Sequence, residues 1–211
     1  MTMLWPLKIA RGYSAEEWRA LRLEPEAPGS ADWETAIAIF DARMRGRFFA
    51  PIDALIAIEK SKKEKTFGFA ILAIDCLVIE TLQGFREGII NHDRRSKELF
   101  TGFLTRWDAF KSCLPRGGNA EKLALRVYFD CRCALLHSGA TDGELCLGIS
   151  GLTFRFNGGH VQWINRTSLH ENLKREFDYY VASLRSKGCE RLRSNFKKKM
   201  DAISGVGAHA E

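Results

Sequence analysis

Arg132 and His137 are the residues of this chain whose types and spacing most directly suit chemistry. They stand in Val127-Tyr128-Phe129-Asp130-Cys131-Arg132-Cys133-Ala134-Leu135-Leu136-His137-Ser138-Gly139, an apolar stretch that reads as the last turns of a helix. A guanidinium holds a phosphate through a planar fork of donors, and an imidazole moves a proton near neutral pH. RNA supplies its own nucleophile, the 2′-OH, so its cleavage needs proton transfer and charge stabilisation rather than a metal. A histidine takes the 2′-OH proton or gives one to the leaving 5′-oxygen. An arginine stabilises the added charge of a phosphorane-like transition state. The products expected of such a pair are a 2′,3′-cyclic phosphate and a 5′-OH, with no cofactor.

A five-residue offset turns about 140° around an ideal helix, so the two side chains do not share a face. For both to reach one phosphate, His137 must lie past the last regular turn, which Gly139 would allow, or a second subunit must supply the partner. Each residue also has a plainer reading. His137 can cap the helix C-terminus, and Arg132 can fill a buried ion pair with Asp75, Glu80 or Asp130. Three neighbours are candidates for support: Glu80 to orient Arg132 or His137, Tyr128 to pack or touch RNA, and Ser138 to bind a phosphate or end the helix.

The stretch Arg185, Lys187, Arg191, Arg193, Lys197, Lys198, Lys199, opposed by Glu190, suits an RNA backbone or a solvated helix face. Cys133 and His137 have a spacing that can place two metal ligands on one helix face, but no second Cys/His pair completes a set, so no metal is expected. His92, His160 and His170 read as ordinary surface histidines.

The elements that must position these residues are mainly helical. Ser14 and Glu17 predict a capped short helix to about Arg22, inside an N-terminal extension (1–30) that ends in a Pro/Gly linker. Asp32 is placed to cap a helix whose buried face is Trp33, Ile37, Phe40, Met44 and Phe48, and Pro51 kinks it or starts another. Thr66 to Gly88 reads as a long helix at the centre of a bundle. Its apolar run Phe67–Ile79 is too short to cross a bilayer and contains Asp75. One helix is expected from about Ser96 to Cys113. Asn119 then caps the motif helix, with Leu123, Val127, Cys131 and Leu135 on its buried side.

After Gly139 the period changes to alternation. Glu144–Ser150, Leu152–Asn157 and His160–Asn165 predict a small β-hairpin or meander, with Gly158-Gly159 as its tight turn. Ser168 opens a last core helix through Leu169, Leu173, Phe177, Val181 and Leu184, and a basic segment with a flexible tail (188–211) follows. The 211 residues, 45% apolar and 27% charged, fit one globular domain; the net charge of +6 suits an anionic partner. Six cysteines in no regular framework, with no visible signal peptide, point to a reduced, cytoplasmic compartment and no membrane.

Arg-x4-His at the end of an apolar helix, with Tyr128 one turn earlier, Ser138-Gly139 directly after and several helices before it, resembles the HEPN superfamily over residues 32–187. That resemblance implies a helical bundle carrying the sheet as an insertion. It further implies a metal-independent endoribonuclease whose two motif helices meet across a homodimer and compose one RNA cleft. Arg132 and His137 match the family's arginine and histidine. Defence or toxin-like roles follow from it too, with an antitoxin or regulatory protein as a partner. Cys133 departs from the polar residue that commonly follows the arginine. The alternatives are a non-catalytic HEPN-like module binding RNA, nucleotide or protein, and a purely structural dimerisation domain.

Overall fold

The computed structural model describes residues 7–141 and 145–206. Glu144, where the first strand is expected to start, and the tail 207–211 lie outside the described residues. The chain opens with a short antiparallel ladder, β1 (Lys8–Ala10) and β2 (Tyr13–Ser14), leading into α1 (Ala15–Arg19). The predicted capping box closes there: Glu17 N–H donates to Ser14 Oγ at 3.2 Å and Ser14 N–H donates to Glu17 Oε2 at 2.6 Å.

Helix α2 (Ala31–Met44) starts two residues earlier than expected. Ser30, not Asp32, is the cap and accepts from Trp33 N–H at 3.2 Å, while Asp32 accepts from Arg22 N–H at 2.8 Å. A π segment (Arg45–Phe49) joins α2 to α3 (Ala50–Lys60) without a break. Pro51 has no amide to offer the carbonyl four residues back, and the chain spends one extra residue at that point. The extra residue moves the core position from Phe48 to Phe49, which is 1% exposed.

Helix α4 (Gly68–Glu87) ends at Gly88, whose φ of +66° is a left-handed stop. It is long and apolar enough to cross a bilayer by length and composition, but 61% of its apolar stretch is buried within the protein. The single helix expected after it is two, α5 (Ser96–Arg106) and α6 (Asp108–Lys111), because Trp107 is extended at φ −80°, ψ 122°. The break turns Trp107 and Phe110 onto the ring of Phe154, at 6.5 and 5.3 Å between centroids.

The motif helix comes next as α7 (Ala120–Arg126), a second π segment (Val127–Cys133) and α8 (Ala134–Ser138). Strands β3 (Cys146–Gly148), β4 (Phe154–Asn157) and β5 (His160–Asn165) follow, then α9 (Arg166–Arg185) and α10 (Glu190–Ile203). The β4–β5 hairpin turns at Gly158-Gly159 as predicted, with φ of +56° and +83°. The sheet is not a meander, however. Its order is β3-β5-β4, and β3 runs parallel to β5 with Cys146 opposite Trp163. The intervening loop is tied by Asn165, whose N–H reaches Thr153 O and whose Nδ2 reaches Gly151 O, both at 2.9 Å.

The chain divides into two compact units, one of residues 1–50, 84–91 and 177–211, the other of 51–83 and 92–176. This cuts across the expected boundaries at 30 and 187. In the first unit Phe40 packs on Phe85, Phe177 and Phe196 at 4.6, 5.5 and 5.1 Å. The first thirty residues are part of that core rather than an appendage: Trp18 is 2% exposed, and its Nε1 donates to Asp201 Oδ1 at 2.9 Å.

The same unit corrects the reading of the C-terminal basic stretch. It is the helix α10, and Arg193 within it is fully buried. Its guanidinium donates to Leu184 O at 3.1 Å, to Ser186 O at 2.6 Å and to Pro25 O. A side chain so enclosed cannot meet RNA. Arg193→Ala is expected to lower unfolding stability by about 3 kcal/mol in urea titrations, because a fully buried side chain and its bonds to three backbone carbonyls are lost.

Candidate functional site

Both motif residues lie in the second unit, on the helix that begins at Asn119. The Asn119 side chain accepts from Lys122 N–H at 2.8 Å and sets the helix start. Leu123, Val127, Cys131 and Leu135 are all buried, as their four-residue spacing predicts. Gly139 ends the helix in the left-handed region at φ +66°.

Arg132 sits in the π segment and reaches α4. Its Nε donates to Glu80 Oε1 at 2.6 Å, and Nη2 lies 3.4 Å from Glu80 Oε2. The pair is largely enclosed, with side chains 16% and 7% exposed. Burial on its own would lower the Arg132 guanidinium, but the bond to Glu80 and its charge outweigh this and raise it above its ordinary value. Among the described residues Nη1 of Arg132 has no hydrogen-bond partner, which leaves one edge of the fork unused.

The face of this arginine is covered by Tyr128, whose ring centroid is 5.7 Å from the guanidinium carbon. Tyr128 is packed against Phe100 and donates its hydroxyl to Ser96 Oγ at 3.4 Å. Burial pushes the Tyr128 phenol above its ordinary value against the opposing bond to Ser96, and the nearby Cys133 thiol adds to the rise. Cys133 therefore stands near the Tyr128 phenol, beside the arginine. A thiol there does not direct the arginine as an amide or carboxylate would.

His137 has a different environment. It belongs to the last turn of α8, not to a position beyond it, and is exposed with no polar contact among the described residues. Ser138 is likewise exposed and unengaged among them. No hydrogen bond joins Arg132 to His137. One faces the interior of its unit and the other faces solvent. Apolar side chains surround the exposed side of this helix, with Leu125, Phe129 and Leu136 at 38%, 47% and 41% exposure.

Three further contacts bear on the site. Glu80 holds Arg132 rather than His137, which selects one of its two expected roles. Cys76 of α4 and Cys131 of the motif helix are buried free thiols, and the neighbouring Cys131 thiol together with burial raises Cys76 well above the ordinary thiol range. His160 Nδ1, at the start of β5, lies 3.9 Å from Asp130 Oδ2. Among the described residues no group of three or more His, Cys, Asp or Glu could hold a metal ion.

Of the basic residues proposed for RNA, Arg185, Lys187 and Arg191 are exposed in the first unit. Arg185 forks onto Glu34 with bonds of 2.9 to 3.1 Å, and Arg193 is removed by its burial.

Sequence reasoning missed an ionic ladder in the second unit, buried at Arg166 and His170 and exposed at its Lys174 end. Arg166, His170 and Lys174 recur every four residues on α9. They meet Glu59 and Asp53 of α3 and Asp75 of α4. His170 is not a surface histidine: it is fully buried, with Nδ1 3.0 Å from Asp75 Oδ1 and Nε2 3.2 Å from Asp53 Oδ1. The signal was a carboxylate in an apolar helix, since Asp75 inside Phe67–Ile79 demands a partner.

Burial pushes the Asp75 carboxyl from 3.8 up to about 6, with His170 opposing the rise. A raised carboxyl favours folding most below its unfolded value, and that contribution fades as pH climbs through about 6. Asp75→Asn should therefore gain stability relative to the native chain between about pH 4 and pH 7, by about 3 kcal/mol at most. Thermal melts at the two pH values check this, and a pH-independent difference would refute it.

The chain matches no protein-family model, no curated protein sequence and no solved structure in the comparisons made with each.

Proposed function

We propose that the chain is a metal-independent endoribonuclease of HEPN type that works as a homodimer. The observation that carries this reading is the division of labour on one helix. Arg132 is held charged at Glu80 with Nη1 unused, while His137 stands exposed and unengaged five residues on. A fixed cation and an accessible proton carrier are the two groups that 2′-OH attack requires. Because they face apart within one copy, the site is completed by a second motif helix across a two-fold axis. The exposed Leu125, Phe129 and Leu136 supply apolar surface for that contact. Any antitoxin or regulator would act by covering this helix.

A second reading has its own support. A thiol, Cys133, follows Arg132 where an amide or carboxylate could direct the arginine, which suits a module that binds RNA, nucleotide or protein without cutting. Purified chain incubated with mixed RNA in EDTA separates the two. Cleavage that disappears in Arg132→Ala is the result expected. RNA left intact by the native chain would favour the binding module.

A further inference from the structure

We infer that the small sheet carries a nucleotide-binding subsite, built on Arg155 and Trp163, that holds one base and phosphate of single-stranded RNA. The inference rests on the proposal that RNA is the substrate and adds where a second part of the strand is held. A cleft of about 370 Å³ opens there, lined by Ser150, Gly151, Leu152, Arg155 and Trp163. Arg155 on β4 lies with its guanidinium carbon 5.4 Å from the centre of the Trp163 ring on β5. It is exposed and has no acidic partner among the described residues, so its donors remain available to an anion.

The sequence around the cleft is fitted to this stack. A Cβ at Gly148 would come within 1.7 Å of the indole, so only glycine lets the ring lie over the β3 backbone. Trp163 Nε1 donates to Ser150 O at 3.3 Å, which fixes the plane of the ring. Leu152 at the rim is 63% exposed, an apolar contact left open beside the charge. A planar cation lying on an anchored indole, next to apolar surface, fits a base on the plane and a phosphate on the N–H edge. An acidic peptide would use the charge but not the plane. The subsite also lies near the motif helix, because β5 packs against both α7 and the π segment that contains Arg132.

The test is binding of a fluorescein-labelled 2′-O-methyl oligoribonucleotide of about 12 nucleotides, which lacks the nucleophile and cannot be cut, followed by anisotropy. Arg155→Ala is expected to weaken binding about tenfold. Arg155→Lys should recover less than half of that loss on a logarithmic scale, since lysine keeps the charge without the plane. Trp163→Leu, with its fold checked by circular dichroism, should match Arg155→Ala. Unchanged binding in Arg155→Ala, full recovery by Arg155→Lys, or no binding by the native chain would each overturn the subsite. These outcomes are separable from the enzymatic proposal. Metal-free cleavage with Arg155→Ala binding normally sinks the subsite alone. Arg155-dependent binding without cleavage sinks the nuclease alone.

Discussion

His137→Ala is expected to reduce metal-free RNA cleavage by about 100-fold or more while leaving the melting temperature unchanged. Proton transfer by a positioned imidazole contributes a factor of about 10² to 10⁴, which sets the size of the loss. The unchanged stability follows from the position of the side chain. His137 is exposed and makes no polar contact among the described residues, so its truncation opens no cavity and strands no partner. A helix cap would behave in the opposite way, losing stability and leaving any cleavage intact. Cleavage rates and melting curves of the one variant therefore decide between the two readings of this residue.

Glu80→Ala should cost about 3 to 5 kcal/mol in unfolding stability and should abolish cleavage as well. Removing one member of an enclosed ion pair leaves the other charge without compensation, and Arg132 is only 16% exposed. Glu80→Gln keeps the shape and one acceptor for Arg132 Nε, so most of the stability should return. Glu80 acts through Arg132 and is a positioning residue. Its conservative variant should accordingly restore fold and part of the rate together. Urea titrations paired with cleavage assays on both variants test this. A fully stable Glu80→Ala protein would show that the pair does not hold the arginine.

How much of this could be read in the sequence depended on whether the signal was local. The Ser14–Glu17 box, the Asn119 cap, the Leu123–Leu135 face and the Gly158-Gly159 turn each rest on residues within a turn or two of one another, and each appears in the structure. The π segments do not announce themselves through composition, so a four-residue period carried past Met44 selected Phe48 where the chain buries Phe49. The parallel pairing of β3 depends on Gly148 admitting Trp163, a match visible only after the loop has brought them together.

The candidate site divides in the same way. Arg132, His137 and Gly139 were legible because one helix carries all three. Glu80 was one of three carboxylates available to Arg132, and only packing of α4 against the motif helix selects it. The partners of His170 are 95 and 117 residues away in the chain, beyond the reach of any periodicity. Arg193 was misassigned because a basic run looks alike whether its arginine meets solvent or three backbone carbonyls.

The chemistry of the cut ends tests the central proposal most directly. RNA incubated with the native chain in EDTA, then examined by mass spectrometry and by end-specific phosphatase and kinase treatment, should show 2′,3′-cyclic phosphate and 5′-OH termini. Ends bearing 3′-OH and 5′-phosphate, or RNA that remains whole, would contradict it.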